Sequence, residues 1–222
     1  MKRTPLKQRK LPDYTKGEEI FNMVTHIVGG GIGVAVTALC VIIAALHNNL
    51  WGIVSGAIYG ATMIILYTMS SVYHGLSPRL TAKKVFQIID HCSIYLLIAG
   101  TYTPIALVTV RSYSEWMGWL IFGFVWGSAA LGITFTSIDL KKYTKLAMAC
   151  YFTMGWCILI CVVPTFRMLG FGGSALILGG GIVYCIGVIF YAINKRYLHS
   201  IFHIFVLLGS ILQFFCILFY VM

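Results

Sequence analysis

The chain has 222 residues, of which 59% are hydrophobic and 10% are charged, and its mean hydropathy is +0.90. Soluble domains usually contain about a quarter charged residues and less than about half apolar residues. The composition therefore excludes an ordinary soluble domain and predicts an all-α protein that crosses a membrane several times.

The chain opens with a short basic segment, residues 1–17, which we expect to be a flexible cytosolic tail. Seven apolar segments follow, each about 20 residues or slightly longer, which is enough for a helix to cross about 30 Å of hydrocarbon. They do not alternate apolar and polar residues as barrel strands do. The sequence predicts one domain, residues 18–222, that is a bundle of seven transmembrane helices. The predicted spans are residues 21–46, 50–73, 86–110, 116–138, 146–166, 173–193 and 199–221.

The basic residues lie mostly on one side of this predicted bundle. Fourteen of the 16 fall in the N-terminal tail and in the second, fourth and sixth loops, and only Arg111 and Arg167 fall on the other side. Because cytosolic loops are enriched in Lys and Arg, the N-terminus is predicted to be cytosolic and the C-terminus to be outside. The net charge of +10 is then explained by membrane orientation, and no nucleic-acid partner is expected.

Two histidines in the last span suggest a metal site. His199 and His203 have i, i+4 spacing, so they project from one helix face about 6 Å apart along the axis. One helix that supplies two imidazoles to a metal uses this spacing. His74 ends the second span at the same predicted depth. Three protein ligands and a water are typical of a catalytic zinc, which activates that water near neutral pH.

Other polar residues lie at the same predicted depth. Asp90 begins the third span, where it could orient an imidazole or a metal-bound water, or could ligate the metal directly and favour a structural role. Ser70 lies one helical turn before the histidine of the second span. Glu19, Asn22 and His26 share one helix face, and either packing or support of the site would explain them. Each of these residues has an alternative explanation, because polar groups near span ends can reach the membrane surface.

Four segments resemble a known family. EEIFNMVTHIVGG (18–30), SSVYH (70–74), DHCSIYLLIAGTYTP (90–104) and HSIFH (199–203) are similar in order and spacing to the hemolysin III proteins, the bacterial branch of the progestin and adiponectin receptor family. The resemblance covers nearly the whole chain and implies seven spans with a cytosolic N-terminus. It also implies Zn²⁺ near the cytosolic face on His74, His199 and His203, with Ser70 and Asp90 in the same motif set.

The resemblance further implies a relation to alkaline ceramidases, which are intramembrane lipid-amide hydrolases with similar zinc ligands. The leading hypothesis is a zinc-dependent hydrolase of lipid amide or ester bonds in the bacterial inner membrane, with Asp90 and Ser70 as catalytic residues. One alternative is a sensor or regulator of the membrane in which zinc is structural. A pore-forming or cytolytic protein is less favoured, because the ionisable residues within the spans lie on one side of the membrane.

Overall fold

The computed structural model describes residues 4–222, with only the backbone described at residue 7, and every regular element in this range is helical. The prediction of an all-α protein is therefore confirmed for the described part of the chain. The α-helices are Lys16–Leu46 (α1), Leu50–Gly75 (α2), Thr81–Pro104 (α3), Arg111–Tyr113 (α4), Glu115–Ile138 (α5), Thr144–Gly155 (α6), Val162–Ala192 (α7) and Leu198–Tyr220 (α8). A π-helical segment covers Ile105–Val110, and 3₁₀-helical segments cover Leu6–Gln8 and Cys157–Cys161.

Six helical stretches of the described chain are long and apolar enough to cross a membrane, judged by length and composition. The fifth stretch, Thr144–Ala192, has 49 residues and includes two of the predicted spans. Its helix is broken at Gly170, whose φ of 63° and ψ of −168° suit glycine alone. The indole N–H of Trp156 donates to Sγ of Cys185 at 3.3 Å, whereas a straight helix would separate these residues by about 43 Å. The chain therefore turns back on itself at Gly170.

Two helices begin earlier than the apolar pattern predicts. Helix α1 begins at Lys16 instead of near residue 21, with a capping box formed by Thr15 and Glu18. Helix α3 begins at Thr81 instead of near residue 86, so Lys83 lies in its first turn and is only 1% exposed. The apolar pattern marks the length of a helix that faces lipid, and it misses the polar first turns that pack against other helices.

Helices α1 and α2 approach each other closely where α1 carries glycine. A Cβ atom on Gly29 would lie 2.5 Å from Cδ1 of Tyr67, and one on Gly33 would lie 3.0 Å from Cγ1 of Ile64. Tyr67 is fully buried, and its hydroxyl donates to Oγ of Ser210 on α8 at 2.8 Å. The close approach therefore brings α1, α2 and α8 together.

Residues 4–15, which we call the N-terminal arm, lie against the bundle and do not extend from it as a flexible tail. The N–H of Thr4 donates to Oδ2 of Asp139 at 2.9 Å. Arg9 is only 8% exposed. The ring of Tyr14 stacks on the ring of His199 with their centroids 4.9 Å apart. The N-terminal arm is thus part of the folded structure near the ends of α1, α5 and α8.

Replacing Gly29 with alanine is expected to lower the free energy of unfolding by about 1–3 kcal/mol, because the new methyl group would overpack against the buried ring of Tyr67. Gly31→Ala is the matched control, since a Cβ there meets no described atom within 4 Å beyond its own helical turn. The measurement is thermal unfolding of each purified variant in detergent. Equal unfolding temperatures for the two variants would contradict the close contact at Gly29.

Candidate metal centre

Three histidines meet as the sequence predicts. One ring nitrogen from each lies within 4.8 Å of the other two: His74, His199 and His203. The Nε2 atoms of His199 and His203 are 3.1 Å apart, and two ligands of a tetrahedral zinc ion at 2.0–2.1 Å would be about 3.3 Å apart. Nε2 of His74 is buried without a hydrogen-bond partner among the described residues. The donor atoms and their spacing therefore fit a metal ion of the zinc type.

The start of α8 sets the position of two of these histidines. Tyr197, the N-cap of α8, has left-handed backbone angles with φ 61°. Its N–H donates to Oε1 of Glu18 at 2.6 Å, which ties the beginning of α8 to the beginning of α1. His199 and His203 then occupy the first two turns of α8 on the face that meets α1 and α2. Their i, i+4 spacing directs both rings to the same point.

Glu19 holds the third histidine. Its Oε2 lies 2.7 Å from Nδ1 of His74, and its Oε1 lies 2.8 Å from Nζ of Lys83. Lys83 also donates to the carbonyl oxygens of Tyr73 and Leu76, at 3.0 and 2.9 Å, where α2 ends. A carboxylate that accepts from Nδ1–H favours the tautomer that leaves Nε2 free for a metal ion. Of the two explanations for Glu19, packing and support of the site, these contacts favour support.

Two residues beside the centre are missed by sequence reasoning. In the sequence, Lys83 is one more positive charge in a loop, because its neighbours along the chain do not indicate that its amine is buried. Tyr14 lies in a segment whose composition predicts flexibility, yet its ring centroid is 5.7 Å from that of His74. One signal could have indicated the role of Lys83. A lysine near the C-terminus of a helix can hydrogen-bond its last carbonyl groups, and only a short loop separates Lys83 from the end of the second span.

Asn22 and His26 lie beside the three histidines but outside the ligand set. The rings of His26 and His203 stack with centroids 3.8 Å apart and an interplanar angle of 18°. Both ring nitrogens of His26, both amide atoms of Asn22 and Nδ1 of His203 are buried without partners among the described residues. Because buried polar groups are normally hydrogen-bonded, we expect ordered water on this side of the centre.

A cavity of about 1000 Å³ reaches two of the three histidines. Ser70 and Asp90 line it together with His199 and His203. The carboxylate of Asp90 is 15% exposed and lies 3.8 Å from Nδ1 of His91. Asp90 and Ser70 thus share a cavity with the histidines, while their catalytic roles remain a prediction. The wall further along the helices is apolar and includes Leu97, Ile98, Ile105, Ile158, Ile177 and Val206.

Comparison with known proteins agrees with the resemblance carried by the four motifs. Residues 14–214 match the family described as haemolysin-III related. The chain is 38% identical to "Hemolysin-3" of Bacillus cereus, over 97% of each chain. It is 39% identical to "Hemolysin-3 homolog" of Bacillus subtilis (strain 168), over 93% of this chain and 96% of that protein. It is 28% identical to "Monocyte to macrophage differentiation factor" of Homo sapiens, over 97% of this chain and 88% of that protein.

Glu19→Gln is expected to weaken zinc binding about 10- to 100-fold, because a neutral amide orients His74 less firmly and leaves Lys83 without a counter-charge. Glu115→Gln is the matched control, since Glu115 is exposed at the start of α5 and has no described contact with the three histidines. The measurement is a zinc titration of metal-free purified protein against a competing chelator. Equal zinc affinities for the two variants would contradict the positioning role of Glu19.

Proposed function

The chain belongs to the haemolysin-III related family, and from this premise we propose that it is a zinc-dependent hydrolase of lipid amide or ester bonds. One observation carries the proposal: two of the three convergent histidines, His199 and His203, line a cavity whose wall also includes Asp90 and a row of aliphatic side chains. Such a cavity matches a molecule with one polar end and one long apolar end. We further propose that the protein resides in the bacterial inner membrane, with membrane lipids as its partners.

The three histidines and the residues that line the cavity would each supply one part of the chemistry. His74, His199 and His203 would hold zinc, and zinc bound there would activate water as a nucleophile. Asp90 would act as the general base, since it is an ionisable group on the cavity wall with no ion pair to a lysine or arginine among the described residues. Ser70 would donate a hydrogen bond to the substrate oxygen that gains charge during the reaction. The apolar wall would hold the acyl chain and exclude bulk water.

A second function is favoured by a specific set of contacts. Glu19 connects α1 to His74 on α2 and to Lys83 on α3, while His26 of α1 stacks on His203 of α8. A metal ion at this junction would join α2 to α8 directly, and the contacts of Glu19 and His26 would extend the junction to α1 and α3, without any reaction. The protein would then be a regulator whose helix packing responds to zinc or to lipid. The cytolytic alternative stays an untested hypothesis.

Asp90→Asn separates the two functions. In a hydrolase the variant is expected to lower the turnover rate about 100-fold or more, because it removes the general base, while zinc content and unfolding temperature stay unchanged. In a regulator the variant is expected to preserve the response of the helix packing to zinc or to lipid. The measurement is product formation from a panel of lipid amides and esters, with and without chelator. Asp13→Asn is the control, because Asp13 is exposed.

Two further outcomes decide the zinc part of this proposal. His203→Ala is expected to lose bound zinc, as measured by elemental analysis of the purified protein. A wild-type protein without zinc would contradict the metal assignment. A zinc-loaded wild-type protein that forms no product from any lipid of the panel would contradict the hydrolase function.

We also infer seven spans, with a cytosolic N-terminus and an external C-terminus. The reversal at Gly170 supports two spans within Thr144–Ala192, and the uneven distribution of Lys and Arg supports the orientation. Alkaline phosphatase is active only outside the cytosol of a bacterium. We expect activity when it is fused after Met222 and none when it is fused after Lys141. The reverse pattern would contradict the orientation, and activity or inactivity at both positions would contradict the number of spans.

A further inference from the structure

The N-terminal arm forms one end of the cavity. Six of its residues line the cavity beside the loop that joins α5 to α6: Thr4, Gln8, Arg9, Lys10, Leu11 and Pro12. The lining carries three cations, Arg9, Lys10 and Lys141, against one acid, Asp90. This end of the cavity therefore carries an excess of positive charge, in contrast to its apolar wall.

Arg9 lacks the partners that a buried guanidinium needs. The residue is 8% exposed. Its Nε and Nη1 atoms are buried without hydrogen-bond partners among the described residues. Nη2 has a single long contact, 3.5 Å, to the carbonyl oxygen of Ile138. A buried charge without partners is unfavourable, so an unpaired guanidinium on a residue that lines the cavity indicates an anionic ligand.

The acid nearest to Arg9 along this edge does not fill that role. Asp139 accepts the N–H of Thr4 on Oδ2 at 2.9 Å and the N–H of Lys142 on Oδ1 at 3.2 Å. The contact with Thr4 contributes most to lowering the pKa of Asp139 to about 2, and the charge of Arg9 adds to it, so the group is ionised at neutral pH. No ion pair within 4.0 Å joins it to Arg9 in the described part of the chain. Both carboxylate oxygens of Asp139 thus hold the backbone in place.

We propose that Arg9, with Lys10 and Lys141, binds the phosphate group of an anionic lipid whose acyl chain lies along the apolar wall. A guanidinium offers two parallel N–H groups that match the oxygen atoms of a phosphate, and flanking ammonium groups add charge. Arg9 is five residues from Tyr14, which stacks on His199, so the Cα atoms of Arg9 and Tyr14 are at most about 18 Å apart. This proposal rests on the proposed function in one respect: if the protein is a hydrolase, the anionic lipid is its substrate.

The test is a binding measurement on full-length protein in a neutral detergent. Fluorescent phosphatidic acid is compared with diacylglycerol that carries the same acyl chains, and inorganic phosphate is added as a competitor. Wild-type protein is expected to bind the phosphatidic acid at least about tenfold more tightly than the diacylglycerol. Arg9→Gln is expected to lose most of this preference. The matched control is Arg79→Gln, because Arg79 is exposed and does not line the cavity.

Each outcome of the binding measurement decides the proposal. Equal losses in Arg9→Gln and Arg79→Gln would reduce the preference to general charge attraction and overturn the site. Displacement of the lipid by inorganic phosphate at equal concentration would retain a phosphate site but overturn the lipid as its ligand. Should Arg9→Gln fail to fold, Arg9→Lys keeps the charge but loses the planar fork. This variant is then expected to bind the two lipids with nearly equal affinity, and an unchanged preference would overturn the proposal.

The proposal on lipid binding and the proposal on hydrolysis can be contradicted independently. The binding measurement needs no turnover and is repeated on chelator-treated protein, so a protein that prefers phosphatidic acid but hydrolyses nothing would sink only the hydrolase. A protein that hydrolyses neutral lipids at an unchanged rate in Arg9→Gln, with no preference for phosphatidic acid, would sink only the anion site.

Discussion

The bond between Glu19 and His74 is the interaction on which the candidate centre depends. Glu19 faces an imidazole on one side and a buried ammonium, that of Lys83, on the other. Removing a carboxylate and an ammonium from water is costly, and it is offset only where each finds well-placed partners. Lys83 meets that condition by also capping α2 through three backbone carbonyls. The contacts of Glu19 and Lys83 therefore cap the end of α2, fix the first turn of α3 and orient the imidazole of His74.

The cavity next to this centre is amphipathic in the way that a lipid is. Cations of the N-terminal arm line one part, His199, His203 and Asp90 line another, and aliphatic side chains form the remaining wall. A soluble metabolite would leave that aliphatic wall in contact with water, which is unfavourable. The close approach of α1 and α2 at Gly29 contributes to this arrangement, because it places His26 and Tyr67 edge to face behind the ligands.

The parts of the fold that follow from local pattern could be predicted, and those that depend on distant partners could not. The spacing of His199 and His203 is a property of one helix, so their convergence could be read from the sequence. Most of the spans follow from apolar length, and the turn at Gly170 falls between two predicted spans. The burial of Lys83 depends on carbonyl groups of α2 and on a carboxylate of α1. The burial of Arg9 likewise depends on the end of α5, more than 120 residues away. A count of charged residues along the sequence does not distinguish Lys83 and Arg9 from the exposed lysines and arginines, so their burial could not be predicted.

The two adjacent acids at the start of α1 have a consequence for the tolerated length of the chain. Glu18 holds the backbone of Tyr197 where α8 begins, and Glu19, one residue later, holds α2 and α3. Consecutive residues on a helix point about 100° apart, so the two carboxylates serve two neighbours because no residue separates them. A single-residue insertion between them would rotate one acid away from its partner, although the composition of the segment would hardly change. Evolution can therefore vary many side chains on the lipid face of α1 more freely than it can vary the number of residues at its beginning.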